Sequence, residues 1–242
     1  MTAPVQLRAL RSESHVIDLR QIPVRTLNQT LHDLGPDTNE TLWRIKNPDG
    51  RHAIAAGLDR PVTAEIEGHA GYYCGGMNKH ASIIVHGNAG VGVAENMMSG
   101  FVHVKGDASQ SAGASAHGGL LLIEGNASAR CGISLKGADI IVKGSIGHMS
   151  AFMAQSGALI VFGDAGESLG DSIYEAHLYV RGAVASLGSD CVEKPMTDEA
   201  KQDLHSRLQK AGLTGEADIS AFRCYGSARS LYHFHVDNAG AY

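Results

Sequence analysis

Apolar and polar residues alternate in short runs that return every 19 residues from Ala64 onward. One apolar column holds Ala64, Ile83, Val102, Leu121, Ile140, Leu159 and Leu178. A second, two residues further along each run, holds Ile66, Val85, Val104, Ile123, Val142, Val161 and Val180. Alternate residues of a strand point to one side, so both columns share a face and predict a common core. The next position runs Glu67, His86, Lys105, Glu124, Lys143, Phe162 and Arg181. It is mostly polar and is expected to face water, with Lys143 as a solvated side chain. A one-residue slip would exchange core for surface, so the alternation also fixes the register.

Each run ends at a glycine: Gly68, Gly87, Gly106, Gly125, Gly144, Gly163 and Gly182, with no insertion or deletion between them. Further small residues recur three and seven positions later, as in Gly71 and Gly75 or Gly166 and Gly170. A 19-residue unit is short for a helix–strand pair but suits one coil of two or three short strands joined by bends. The expected fold is all-β: a right-handed single-stranded parallel β-helix of about seven 19-residue coils with short helical flanks, roughly 30 Å long. The seven glycines are structural on this reading. In the last coil Ala185 and Ser189 stand at the small positions and Gly188 falls one residue early, which predicts a distortion there. A phosphate-cradling reading of the glycines fails, because Gly90-Val91-Gly92-Val93-Ala94-Glu95 lacks the third glycine and leads into no amphipathic helix.

The chain divides into an N-terminal flank and cap (1–62), the β-helix (63–195), and a C-terminal helix with an aromatic-rich arm (196–242). Pro23, Val24, Leu27, Leu31 and Leu34 predict a helix over about 23–34, stopped by Gly35-Pro36. Thr197 is the predicted N-cap of a second helix, which Gly212 ends. The open ends of a β-helix need covers, and the flanks are assigned that task. A further outward column, three residues before each key glycine, carries Ile84, Leu122, Ile141, Ile160 and Tyr179. Parallel sheets are covered on both faces, so this apolar ridge is expected under the chain's own C-terminal segment or under another chain; it is the candidate subunit interface.

Charge and composition narrow the function. With a net charge of -5 and no Lys/Arg cluster, nucleic acid is not an expected partner. No apolar stretch reaches membrane-spanning length and the first residues hold no signal-peptide core, so a cytoplasmic location is expected. Cys74 and Cys131 occupy one column three coils apart, about 14 Å and thus beyond the roughly 7 Å that a disulfide spans. All four cysteines are read as reduced thiols. His233 and His235 share one face of a strand-like tail, but no further ligand completes a metal set, and Tyr225, Tyr232, Phe234 and Tyr242 make that tail a packing arm. No catalytic, cofactor-binding or metal-binding residues are assigned.

The strings Gly68-His69-Ala70-Gly71-Tyr72-Tyr73-Cys74-Gly75 and Gly163-Asp164-Ala165-Gly166-Glu167-Ser168-Leu169-Gly170 resemble the GXGXG β-helix domain. That domain ends the glutamate synthase large subunit and recurs in formylmethanofuran dehydrogenase. The strings 71–79, 94–100, 147–155 and 225–229 resemble, more narrowly, the stand-alone GXGXG subunit of N-methylglutamate synthase, over about Ile17 to Tyr242. The resemblance implies a hetero-oligomer in which this chain bridges a glutaminase-like amidotransferase subunit and an FMN- and iron-sulfur-containing synthase subunit. Methylamine and L-glutamate would there become N-methyl-L-glutamate and ammonia. It also implies that FMN and clusters reside in a partner. Met77, Asn78, Lys79 and His80 are expected to border the junction. A related glutamate synthase-like or formylmethanofuran-type assembly is the alternative. A free-standing polysaccharide-cleaving β-helix is disfavoured, because the outward columns lack acidic clusters and aromatic rows.

Overall fold

The structure is a computed structural model that describes residues 14–39 and 41–229. The tail bearing His233, His235, Tyr232, Phe234 and Tyr242 lies outside the described residues. Eleven strands form one sheet. They are β1 (His15–Asp18), β2 (Leu42–Lys46), β3 (Thr63–Glu67), β4 (Ser82–Val85), β5 (Phe101–Val104), β6 (Leu120–Ile123), β7 (Lys136–Val142), β8 (Ser156–Val161), β9 (His177–Val180), β10 (Cys191–Lys194) and β11 (Arg223–Ser227). From β1 to β9 neighbours are parallel and in sequence order, so the chain winds as a parallel β-solenoid of about seven coils. We number coils 1 to 7 by their glycines, Gly68 to Gly182. Two α-helices flank it, α1 (Val24–His32) and α2 (Asp198–Lys210).

The register follows the sequence period: Ile83 pairs with Val102, and Val142 with both Ile123 and Val161. Both predicted apolar columns are buried throughout coils 1 to 7. The glycine column answers a steric demand. From Gly106 to Gly182 each key glycine N–H donates to the carbonyl of the glycine beneath it, as from Gly144 to Gly125 at 2.9 Å. A Cβ on Gly144 would lie 2.6 Å from that carbonyl oxygen and 2.5 Å from the Asn126 side-chain oxygen, where no atom fits.

Next to the glycines runs a second ladder that the 19-residue period also sets. The side chain of His69 accepts from the N–H of Asn88, Asn88 from Asp107, Asp107 from Asn126, Asn126 from Ser145, Ser145 from Asp164, and Asp164 from Ala183, at 2.7 to 3.0 Å. Each bond satisfies a backbone donor that would otherwise point at solvent across the bend.

A coil has three faces. The first is the sheet. The second begins at the ladder. The third is a flat stretch, residues 72–80 in coil 1, built from backbone in alternating left-handed conformation. Tyr73, Gly75 and Met77 have φ of 60°, 63° and 54°, and the same three positions repeat as Ser111, Gly113 and Ser115 or Met149, Ala151 and Met153. The alternation turns successive N–H groups up and down the stack: Tyr73 and Met77 donate to the next coil, Gly75 to the preceding one. These bonds offset a left-handed cost of about 1 kcal/mol or more at each non-glycine.

Three features mark the ends of the stack. The stack starts earlier than residue 63: β2 pairs in parallel with β3, with Leu42 opposite Thr63, and Trp43 and Ile45 continue the buried columns. This leading coil is 21 residues long at the strand, so it falls outside the 19-residue period. Helix α1 sits on it through Leu27 and Leu31, and Asn28 bonds both Ala53 and Ala55. Second, the last coil is one residue short, with Ser168 meeting Ser186 rather than a residue 19 away, which is the distortion that the early Gly188 predicts. Third, β11 returns antiparallel between β9 and β10 and closes the far end, placing Tyr225 against the core.

The outward ridge is covered by the chain itself. Leu122, Ile141, Ile160 and Tyr179 are buried in a second core with Leu204 and Leu208 of α2, Leu213 and Phe222. They are therefore closed to a partner, which corrects their assignment as a subunit interface. Ile84 lies in β4 beyond this cover and is half-buried.

Candidate functional site

A polar cluster lies where α2 crosses the sheet. Thr197 caps the helix, its hydroxyl accepting from Ala200 at 3.2 Å. Leu204 and Leu208 turn inward, which aims Asp203 and Arg207 along the sheet. The guanidinium of Arg207 donates to both Asp203 oxygens at 2.9 Å and also bonds Asp139 of β7. The hydroxyl of Tyr179 donates to Asp203 at 2.8 Å, and His177 Nδ1 lies 3.2 Å from the same carboxylate. Beside this cluster opens a cleft of about 770 Å³, bordered among others by Ser156, Lys194, Glu199, Ser227 and Arg229.

The electrostatics make the cluster a clasp. Burial opposes the Asp203 charge, but bonds from Arg207 and Tyr179 prevail and hold its carboxyl at about 2. Burial and the adjacent Asp203 charge push the Tyr179 phenol far above its ordinary value, so it stays a donor. Burial also raises Asp139, against the pull of Arg207. A second network joins coils 3, 4 and 5. Glu124 meets His103 and Lys143 at 2.8 Å each, and Lys143 reaches Glu216 at 2.6 Å. Lys143 is thus an ion-paired residue rather than the solvated one expected. Burial lowers His103 despite its bond to Glu124.

Among the described residues no three His, Cys, Asp or Glu side chains gather into a metal-binding group, and no helix is long and apolar enough to cross a membrane. The four cysteines are free thiols. Burial pushes Cys74 and Cys131 up to about 12, which leaves them poor nucleophiles. Of the residues expected at a subunit junction, Met77, Lys79 and His80 are exposed. Asn78 is fully buried, its side chain bonded to the Ala81 backbone through both oxygen and nitrogen, so it is a turn clamp and cannot border a partner. The clasp has a signal in the sequence that periodicity alone does not interpret. Five residues before each key glycine stand Thr63, Ser82, Phe101, Leu120, Asp139, Ala158 and His177, where Asp139 is the lone carboxylate on the side that α2 covers.

No family model matches the chain. It is 59% identical to Protein GlxC of Rhizobium meliloti (strain 1021) over 227 residues, which are 94% of this chain and 99% of that protein. Identity of that level over nearly the full length of both, on a scaffold whose every coil depends on the same small residues, means that the chain belongs to the GlxC family.

Proposed function

We propose that the chain is a non-catalytic scaffolding subunit of a glutamate synthase-like N-methylglutamate synthase. It holds a glutaminase-like amidotransferase subunit and an FMN- and iron-sulfur-containing subunit in a fixed relation. The observation that carries this reading is the construction of the stack. Its rigidity resides in backbone and side-chain ladders running through every coil, and its outer ridge is closed by its own helix. Such a body keeps two attached partners at constant separation without contributing chemistry. Further support comes from the resemblance strings: 71–79, 94–100 and 147–155 fall on the third face of coils 1, 2 and 5. FMN and clusters would belong to the partner, and the four thiols of this chain are buried.

Co-purification from the native source, followed by reconstitution with the captured chains, tests the reading. Two partners of the stated kinds should copurify. Omitting this chain should abolish formation of N-methyl-L-glutamate from methylamine and L-glutamate while each partner retains its own cofactor. Capture of a molybdenum or tungsten subunit would point to the formylmethanofuran-type alternative. Undiminished turnover without this chain would remove the scaffold.

A further inference from the structure

The third face carries little charge and an unusual concentration of exposed apolar residues. Tyr72, Met77, Val91, Met98 and Met153 are each more than a third exposed, and Tyr73, Ile133, Met149 and Phe152 are half-buried beside them. Within coils 1 to 5 its charges are Glu95 in coil 2 and Arg130 in coil 4 near the middle, with Lys79 of coil 1 and Lys136 of coil 4 exposed at its far edge. Among the described residues neither Glu95 nor Arg130 finds an ion-pair partner in its own chain. We propose that this face is a self-association surface whose occupant is a second copy of the chain, with a twofold axis crossing coil 3 at right angles to the solenoid.

The argument rests on how the columns map under that axis. The operation keeps each column opposite itself and reverses the coil order, so coil 1 meets coil 5 and coil 2 meets coil 4. Met77 then lies opposite Met153, which is 19 × 4 residues further along the chain and in the same column. Tyr72 lies opposite His148, and Val91 opposite Ala129. Tyr73 faces the Met149 and Phe152 pair, its ring already laid flat over Gly76. Arg130 faces the column position of Gly92. The Glu95 carboxylate is folded over that glycine, 2.6 Å from where its Cβ would stand. The unpaired anion of one copy thus meets the unpaired cation of the other, twice across the axis. At the axis itself coil 3 presents Ser111, Ala114 and Ser115, small enough for close approach. With the leading coil included, the match extends to His52 opposite Glu167.

The size is adequate. Seven coils at about 4.8 Å give a face roughly 34 Å long, and with a width of about 20 Å on the order of 700 Å² per copy, close to what stable dimers bury. Depletion of charge and enrichment in Met and aromatic residues are the composition of interface centres. This proposal goes beyond the scaffold reading: it gives the face on which the resemblance strings fall to a second copy and leaves the amidotransferase-like and synthase partners to other surfaces.

The test is the mass of the purified full-length chain by light scattering across a dilution series. The wild type should form a dimer at twice 25.4 kDa. Glu95→Arg and Arg130→Glu should each weaken dimerisation by at least about tenfold, because each reversal sets two like-charge contacts across the axis. The double reversal should recover the wild-type affinity to within about threefold. Circular dichroism of each variant should match the wild type, as both side chains are on the surface. A monomeric wild type at about 100 μM overturns the proposal. So does a dimer indifferent to both single reversals, or a double variant no better than the singles. If the wild type is monomeric and the reversals instead block capture of a different subunit, the face belongs to that partner and the second copy is excluded.

Discussion

At the scale of single residues, Val142 and Lys143 show how sharply the period separates inside from outside, and where it does not. Val142 is fully buried between Ile123 and Val161, so Val142→Asp should destabilise by more than about 3 kcal/mol, the cost of an unpaired buried carboxylate. Its neighbour points away from the core, and alternation alone would make Lys143→Ala nearly silent. The structure gives it two carboxylate partners, so about 1 kcal/mol is expected for this partly exposed group. Chemical denaturation of the two variants checks both values, and equal losses at the two sites would refute the register. The polarity of Lys143 was readable, but its partners were not. Glu124 comes from the adjacent coil and follows from the period, whereas Glu216 comes from a flank with no repeat to place it.

Between elements, α2 is held by apolar contact and by a charge clasp, and the two respond differently to acid. The Asp203 carboxyl is held at about 2, below the ordinary value near 4 of an unfolded chain. A depressed carboxylate stabilises the fold above its unfolded pKa, and that contribution fades as pH falls from about 4 toward about 2. Asp139 is shifted upward and works in the opposite sense. The expected outcome is that Asp203→Asn lowers the melting temperature at pH 7 and flattens its fall between about pH 4 and 2. Parallel acid-melting curves for the variant and the parent would exclude the clasp as a source of stability. Helix α2 itself was legible from Thr197, Leu204, Leu208 and Gly212. The need to cover Ile141, Ile160 and Tyr179 was legible too. Which cover they receive was not, because an apolar stripe specifies burial without naming its partner.

For the whole molecule, the coils were legible because each repeats one steric problem, the close passage of one glycine backbone over the next. The leading coil and the antiparallel β11 were not, because an end solves a different problem from the middle. It must stop the stack, and its residues obey no period. The ladder from His69 to Ala183 has one further consequence. Its links all span 19 residues, so the chain counts as a ruler does, in whole divisions. Removing residues 88–106 takes out one division and sets Asp107 on His69, where Asn88 stood. That shortened chain should fold with an unchanged circular dichroism shape and bring its two ends closer by about 4.8 Å. Removing residues 88–105 leaves every later column one step out of line and should not fold. Length in this protein is therefore quantised, and the distance between whatever is attached at its two ends can change only in steps of one coil.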